Sequence, residues 1–63
     1  MKIVITDYME RSPKGRASKP RKTTYQNLSD NRDVAVEEAY TAHEAAIARG
    51  DLPAPYKTAG YSL

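Results

Sequence analysis

His43 is the only histidine of this 63-residue sequence, and cysteine is absent. Nucleophilic catalysis needs an activated hydroxyl or thiol, a base within hydrogen-bond reach and a group that orients the base. On a helix, the neighbours of His43 at three and four positions are Ala39, Tyr40, Ala46 and Ile47, none of which is a carboxylate or a second metal ligand. The spacing therefore predicts no metal site and no cofactor, and we interpret His43 as a packed residue or an interface contact.

Other patterns that carry chemistry are also missing. Glu37 and Glu38 are adjacent, so on a helix they point about 100° apart and do not form an acid and base pair. Gly15, Gly50 and Gly60 are isolated and none opens a helix, which excludes a glycine-rich phosphate loop. The sequence predicts a binding protein that is not an enzyme and takes no small-molecule substrate.

The main functional signal is a run of cations without an acidic residue between positions 11 and 22. The residues predicted to bind nucleic acid are Arg11, Lys14, Arg16, Lys19, Arg21 and Lys22. Residues 29–51 hold six acidic and two basic residues, so the two segments carry net charges of +6 and −4. This division predicts one surface for polyanions and another for basic or neutral partners. The alternative is that the two segments attract each other within the fold.

Part of this run, PKGRASKPRK over residues 13–22, resembles an AT-hook. That motif lays an Arg-Gly-Arg-Pro core into the minor groove of AT-rich DNA. Here Lys14 replaces the first arginine, and Ala17 stands where the proline would follow Arg16. The resemblance implies an extended arm on DNA, whereas the charge by itself predicts general polyanion binding.

A β-hairpin is predicted to carry the basic run. Residues 2–8 are rich in β-branched side chains, with Ile3, Ile5 and Asp7 on one side, and residues 23–28 are a weaker second strand. Pairing them leaves a long, flexible basic loop over residues 9–22. Tyr8 and Tyr25 bracket this loop and are candidates for stacking on unpaired bases.

Residues 30–49 are predicted to form one amphipathic, alanine-rich helix. Ser29, Asp30 or Asn31 can supply the N-cap, and Gly50 is the natural residue to end the helix. The larger apolar stripe should contact a partner, and a neighbouring alanine stripe should stay exposed and meet a second helix or chain. The predicted partner-binding residues are Val36, Ala39, Tyr40, Ala42, His43 and Ile47.

The sequence thus predicts one small α+β domain over residues 1–63, with an extended tail over residues 52–63. Nine large aliphatic residues, with no Phe or Trp, are too few for a self-sufficient core, so a protein partner or a homodimer is expected. There is no apolar segment of membrane-spanning length and no signal-peptide core. A cytoplasmic protein is expected.

The function that fits these features is a small regulator or accessory subunit of a nucleic-acid-handling assembly, with the basic loop on nucleic acid and the helix on protein. Small modulators encoded by bacteriophages often have this kind of composition. Two alternatives remain open. One is a structural or assembly protein of a larger complex, and the other is a pure protein inhibitor that acts through its helix or an edge strand.

Overall fold

A computed structural model describes all 63 residues as a three-stranded sheet covered on one face by one helix. The elements in chain order are β1 (Lys2–Arg11), β2 (Ala17–Gln26), α1 (Arg32–Arg49) and β3 (Lys57–Ser62). Both neighbours of β1 pair with it antiparallel, which gives the strand order β2-β1-β3. The prediction of a small α+β fold is therefore confirmed, and α1 is not long and apolar enough to cross a membrane.

The central strand β1 has two faces with different surroundings. Ile3, Ile5 and Asp7 are buried beneath α1. Val4, Thr6 and Tyr8 alternate with them and are half-buried on the opposite face. No helix or strand covers that second face, which we call the open face of the sheet.

The hairpin is longer than predicted and the loop is shorter. One register holds from Lys2↔Gln26 to Arg11↔Ala17, although Met9 and Lys19, where Lys19 has a φ of 58°, do not pair. Residues 9–11 and 17–22 therefore belong to strands, and only residues 12–16 form the turn. Pro20 does not break β2 because β2 is an edge strand, where a missing N–H can face solvent. Gly15, at a φ of 83°, donates to the Ser12 carbonyl at 2.8 Å and closes the turn.

Both ends of α1 are capped by the residues that the sequence suggests. The Asn31 side chain accepts hydrogen bonds from the backbone N–H groups of Asp33 and Val34 at the N-terminus. At the C-terminus Gly50 adopts a φ of 84°, and the Asp51 N–H donates to the Ala46 carbonyl at 2.9 Å, as in a Schellman motif.

The buried face of α1 is the alanine face, which corrects the expectation that this stripe stays exposed. Ala35, Ala39, His43 and Ala46 are buried, and Ala39 is only 2% exposed. Small side chains let the helix backbone lie close to the sheet, where Ile3 and Ile5 fill the space. The predicted partner stripe is also partly used, because Val36 and Tyr40 pack against this core.

The extended tail predicted over residues 52–63 includes a third strand, because residues 57–62 form β3. The register shifts between Thr6↔Gly60 and Asp7↔Thr58, so Ala59 is the extra residue of a β-bulge. Thr58 and Tyr61 are three positions apart and would face opposite sides of a regular strand. The bulge turns both toward the helix, where Tyr61 meets Tyr40 edge-on with ring centroids 6.4 Å apart.

The placement of the two alanines generates a prediction about stability. Ala39→Arg should force a charge into the helix–sheet contact at a cost of several kcal/mol, comparable with the whole stability of a small domain at about 5 kcal/mol. Ala42→Arg is the matched control, because Ala42 is exposed and arginine is a good helix former. Urea unfolding followed by circular dichroism should show the Ala39 variant largely unfolded and the Ala42 variant within about 0.5 kcal/mol of the parent. Equal midpoints for the two variants would contradict this helix orientation.

Candidate functional site

Asp7 is the centre of a buried polar network that joins all four elements. Its Oδ2 atom accepts a hydrogen bond from Arg21 Nη2 of β2 at 2.6 Å and contacts His43 Nε2 of α1 at 2.6 Å. Its Oδ1 atom accepts from the Thr58 hydroxyl of β3 at 2.8 Å. The Asp7 side chain is completely buried, so the three contacts replace its hydration.

His43 extends this network to Tyr25 on β2. The Tyr25 hydroxyl lies 2.7 Å from His43 Nδ1, and the two rings meet edge-on. An ionised Asp7 can only accept hydrogen bonds, so His43 Nε2 must carry the proton that points to it. In the neutral ring Nδ1 then accepts a hydrogen bond from the Tyr25 hydroxyl, and both ring nitrogens are satisfied.

The surroundings shift the acidity of Asp7 and Tyr25 in opposite directions. Burial by itself raises the pKa of Asp7, but the hydrogen bonds from Arg21, Thr58 and His43 outweigh it and hold that pKa below the ordinary value of 3.8. Burial, together with the negative charge of Asp7, raises the pKa of Tyr25 above its ordinary value of 10.0. The network therefore keeps a carboxylate ionised and a phenol protonated.

The sequence of hydroxyl, imidazole and carboxylate is that of a catalytic triad, with tyrosine in the place of the nucleophile. A nucleophilic hydroxyl has to lose its proton, whereas the environment of Tyr25 stabilises the protonated form. His43 is 2% exposed, and both of its ring nitrogens are engaged within the chain, by Asp7 and by Tyr25. The arrangement fits a structural connection between helix and sheet.

Arg21 lies within this network and apart from the other five cations predicted to bind nucleic acid. Its guanidinium binds Asp7 through Nη2 and donates through Nη1 to the Pro53 carbonyl at 2.9 Å. The Arg21 side chain is 18% exposed, and its Nε is the only buried side-chain nitrogen or oxygen without a hydrogen-bond partner. Arg21 thus ties β2 to the segment before β3, and its guanidinium already has partners within the chain.

The remaining basic residues lie around the hairpin turn. Arg11, Lys14 and Arg16 are exposed and make no ion pair, whereas Lys19, at a φ of 58°, pairs with Glu10 at 3.0 Å. Lys22 is exposed further along β2. We call Arg11, Lys14 and Arg16 the basic tip.

Charge is separated between the two layers of the molecule. The strands and hairpin turn hold eight of the ten basic residues and two of the eight acidic ones, a net charge of +6. Residues 27–56, with α1 at their centre, have a net charge of −4, and all six of their acidic residues are exposed. Every ion pair that an arginine or lysine makes joins two residues of the same layer. The alternative interpretation, in which residues 11–22 and 29–51 attract each other within the fold, would require ion pairs between these two segments. None of the ion pairs joins them.

The six residues predicted to bind a partner do not form one surface. Ala39 and His43 are buried in the chain's own core, and Val36, Tyr40 and Ile47 are half-buried. Ala42 is the only one of the six that is exposed. It belongs to an open groove of about 490 Å³ on the outer side of α1, lined by Val34, Glu37, Glu38, Thr41, Ala42 and Ala45.

The Asp7–His43 connection is the feature that sequence reasoning missed. His43 has no carboxylate among its helical neighbours, but its partner comes from 36 residues away on β1. A signal was present, because Asp7 shares a strand face with Ile3 and Ile5. A carboxylate on an inward-facing apolar stripe requires hydrogen-bond partners in the interior. His43, on the helix that packs against this stripe, is a residue that can supply one.

No protein-family model, curated protein or solved structure matches this chain.

The network predicts how stability depends on Asp7 and on pH. Asp7→Asn leaves Arg21 without its counter-charge and should lower the free energy of unfolding by about 3–5 kcal/mol. Glu44→Gln is the matched control, because it removes the same charge from an exposed residue, and it should lower the free energy of unfolding by about 0.5 kcal/mol or less. Because the folded state lowers the pKa of Asp7, its contribution is complete above the ordinary value of 3.8 and is lost as pH falls through the lowered pKa. Urea midpoints measured across the acid range should fall less steeply for Asp7→Asn than for the parent. Parallel pH profiles would exclude a stabilising charged Asp7.

Proposed function

We propose that this protein is a non-enzymatic adaptor of a nucleic-acid-handling assembly, with its basic tip and sheet on nucleic acid and the outer side of α1 on protein. The observation that carries the proposal is the charge separation between the two layers, +6 and −4, with no arginine or lysine of one layer paired to a carboxylate of the other. A field of this kind attracts a polyanion to one layer and repels it from the other. The proposed setting is the cytoplasm, where nucleic acid is accessible.

The basic tip supports the nucleic-acid side of the proposal. Arg11 is the last residue of β1, and Lys14 and Arg16 lie in the five-residue turn that follows, so the hairpin keeps the three cations close together. None is committed to a carboxylate, which leaves their hydrogen-bonding capacity for phosphate oxygens. Contacts of this kind release counterions and are largely independent of sequence.

The groove on α1 supports the protein side. Its lining includes Val34, which is 42% exposed, the small residues Ala42 and Ala45, and the acidic residues Glu37 and Glu38. A partner segment with apolar and basic side chains fits both features. An assembly protein or an inhibitor would use the same groove. These two alternative functions differ from the adaptor because neither of them requires nucleic acid.

The salt dependence of nucleic-acid binding tests the first half of the proposal. Replacing Lys14 and Arg16 with glutamine should weaken binding and make the slope of log K against log salt less steep by about 0.9 for each duplex phosphate that is no longer neutralised. Replacing Arg32 and Arg49 with glutamine is the matched control, since it removes two exposed positive charges from the other layer. Fluorescence anisotropy at several salt concentrations supplies both slopes. An equal loss of affinity in the two double variants would mean that net charge, and not the basic tip, governs binding.

Affinity capture with and without nuclease tests the second half. A protein partner bound through α1 should be retained after nuclease treatment and absent from the Ala42→Arg variant, whose fold should be intact. The Lys14 and Arg16 double variant should retain that partner. A partner released by nuclease treatment would be held through nucleic acid and would contradict the role of the helix.

A further inference from the structure

The open face of the sheet is a second functional surface, distinct from the basic tip. We propose that it binds single-stranded nucleic acid, with Tyr8 stacking on an unpaired base between Lys22 and Lys57. This inference rests on the proposed function, because it names the kind of nucleic acid that the positive layer selects. It is carried by the strand register, the exposure of the lysines and the absence of any covering element.

The register places cations on both sides of the central strand. Thr6 pairs with Lys22 of β2, and Tyr8 pairs with Lys57 of β3. Directly paired residues of an antiparallel sheet project from the same face, so both lysines share the open face with Tyr8. Lys2, next to buried Ile3, lies on that face at the far end of β1, and all three lysines are exposed.

Glu10 shares the open face with Tyr8 by strand alternation, but it is paired with Lys19, so no unpaired carboxylate of the sheet opposes these cations. The other carboxylate of the sheet layer, Asp7, faces the helix and is fully buried. The open face is therefore a positively charged track along β1 that begins near the basic tip. At about 3.3 Å per residue, the ten residues of β1 give this track a length of about 30 Å.

An aromatic ring among cations fits unpaired bases better than a duplex. Stacking on an aromatic side chain requires the flat face of a base, which a duplex hides within its stack, whereas phosphate contacts serve both forms. Tyr25 cannot take this role because its hydroxyl is committed to His43 on the helix side. Tyr8 is the aromatic residue that the register leaves on the open face.

A second copy of the chain is a poorer occupant of the same face. Two open faces in contact would bring Lys2, Lys22 and Lys57 of both copies together, and the one carboxylate on this face, Glu10, is already paired with Lys19. Like charges across an interface oppose association. The half-buried column of Val4, Thr6 and Tyr8 is also narrow, because Pro20, opposite Tyr8, is the one sizeable apolar residue that the flanking strands pair with it. The charge on this face complements a polyanion.

The first test compares Tyr8→Leu with Tyr8→Phe. Leucine keeps an apolar side chain in the strand but removes the ring, whereas phenylalanine keeps the ring. Anisotropy with a labelled single strand of about twelve nucleotides should show affinity reduced about five- to tenfold for Tyr8→Leu and nearly unchanged for Tyr8→Phe. A duplex of the same length should bind both variants equally. Thymidine and uridine oligonucleotides, run side by side, distinguish DNA from RNA, and stacking-dependent binding of either supports the inference.

A second measurement keeps the inference testable if the Tyr8 variants fail to fold. Amide NMR spectra of the unsubstituted protein, titrated with the same single strand, should shift for residues 4–8 and for Lys22, Thr24 and Lys57, and not for the middle of α1. Shifts confined to residues 11–16, or equal affinity for single strand and duplex, would overturn the inference and leave the basic tip as the binding site. Absence of binding to any nucleic acid would overturn the proposed function as well.

Discussion

The structure depends on one buried carboxylate. Asp7 lies on the inward face of the central strand, and each of the other elements sends it a partner: Arg21, His43 and Thr58. A charge without water around it is strongly destabilising unless it is paired and hydrogen-bonded. The requirement to satisfy Asp7 therefore fixes how the helix, the hairpin and the last strand are placed relative to one another. A core as small as Ile3, Ile5, Ala35 and Ala39 specifies these positions less closely.

The same arrangement determines which surfaces remain for binding. Arg21 is the one basic residue of the sheet layer that the interior uses, so the other cations stay on the hairpin turn and the open face. The alanine face of α1 is used for close packing, and the acidic residues are left on its outer side. The residues that build the fold and those that we propose to bind partners are thus different residues of the same segments. Substitutions at the exposed positions can change binding without disturbing the core.

Much of the fold was predictable because local signals and the final structure agree. Asn31 and Gly50 mark the ends of α1, and the alternation in residues 2–8 marks β1 and its inward face. Three features depended on information that is not local. The length of β2 comes from pairing with β1 across weakly β-forming residues. The strand β3 pairs with β1 through a bulge at Ala59 that aligns Thr58 with Asp7. The helix turns its alanines toward a sheet that already supplies the bulky side chains. Within the candidate site, the cationic run was visible in the sequence, whereas the different role of Arg21 followed only from the position of Asp7.

The strand order has a consequence for folding kinetics. The strand β1 precedes the other elements in the chain but lies at the centre of the sheet. Its neighbour β2 follows directly through the hairpin turn, whereas its other neighbour, β3, is formed by residues 57–62, after the helix. Local contacts form early, while contacts that close a long loop must first overcome its entropy. We therefore expect the hairpin to be structured ahead of the rest, with Asp7 still hydrated and paired only with Arg21. The docking of His43 and Thr58 then completes the transition, so that the carboxylate loses its water in the same step that closes the chain.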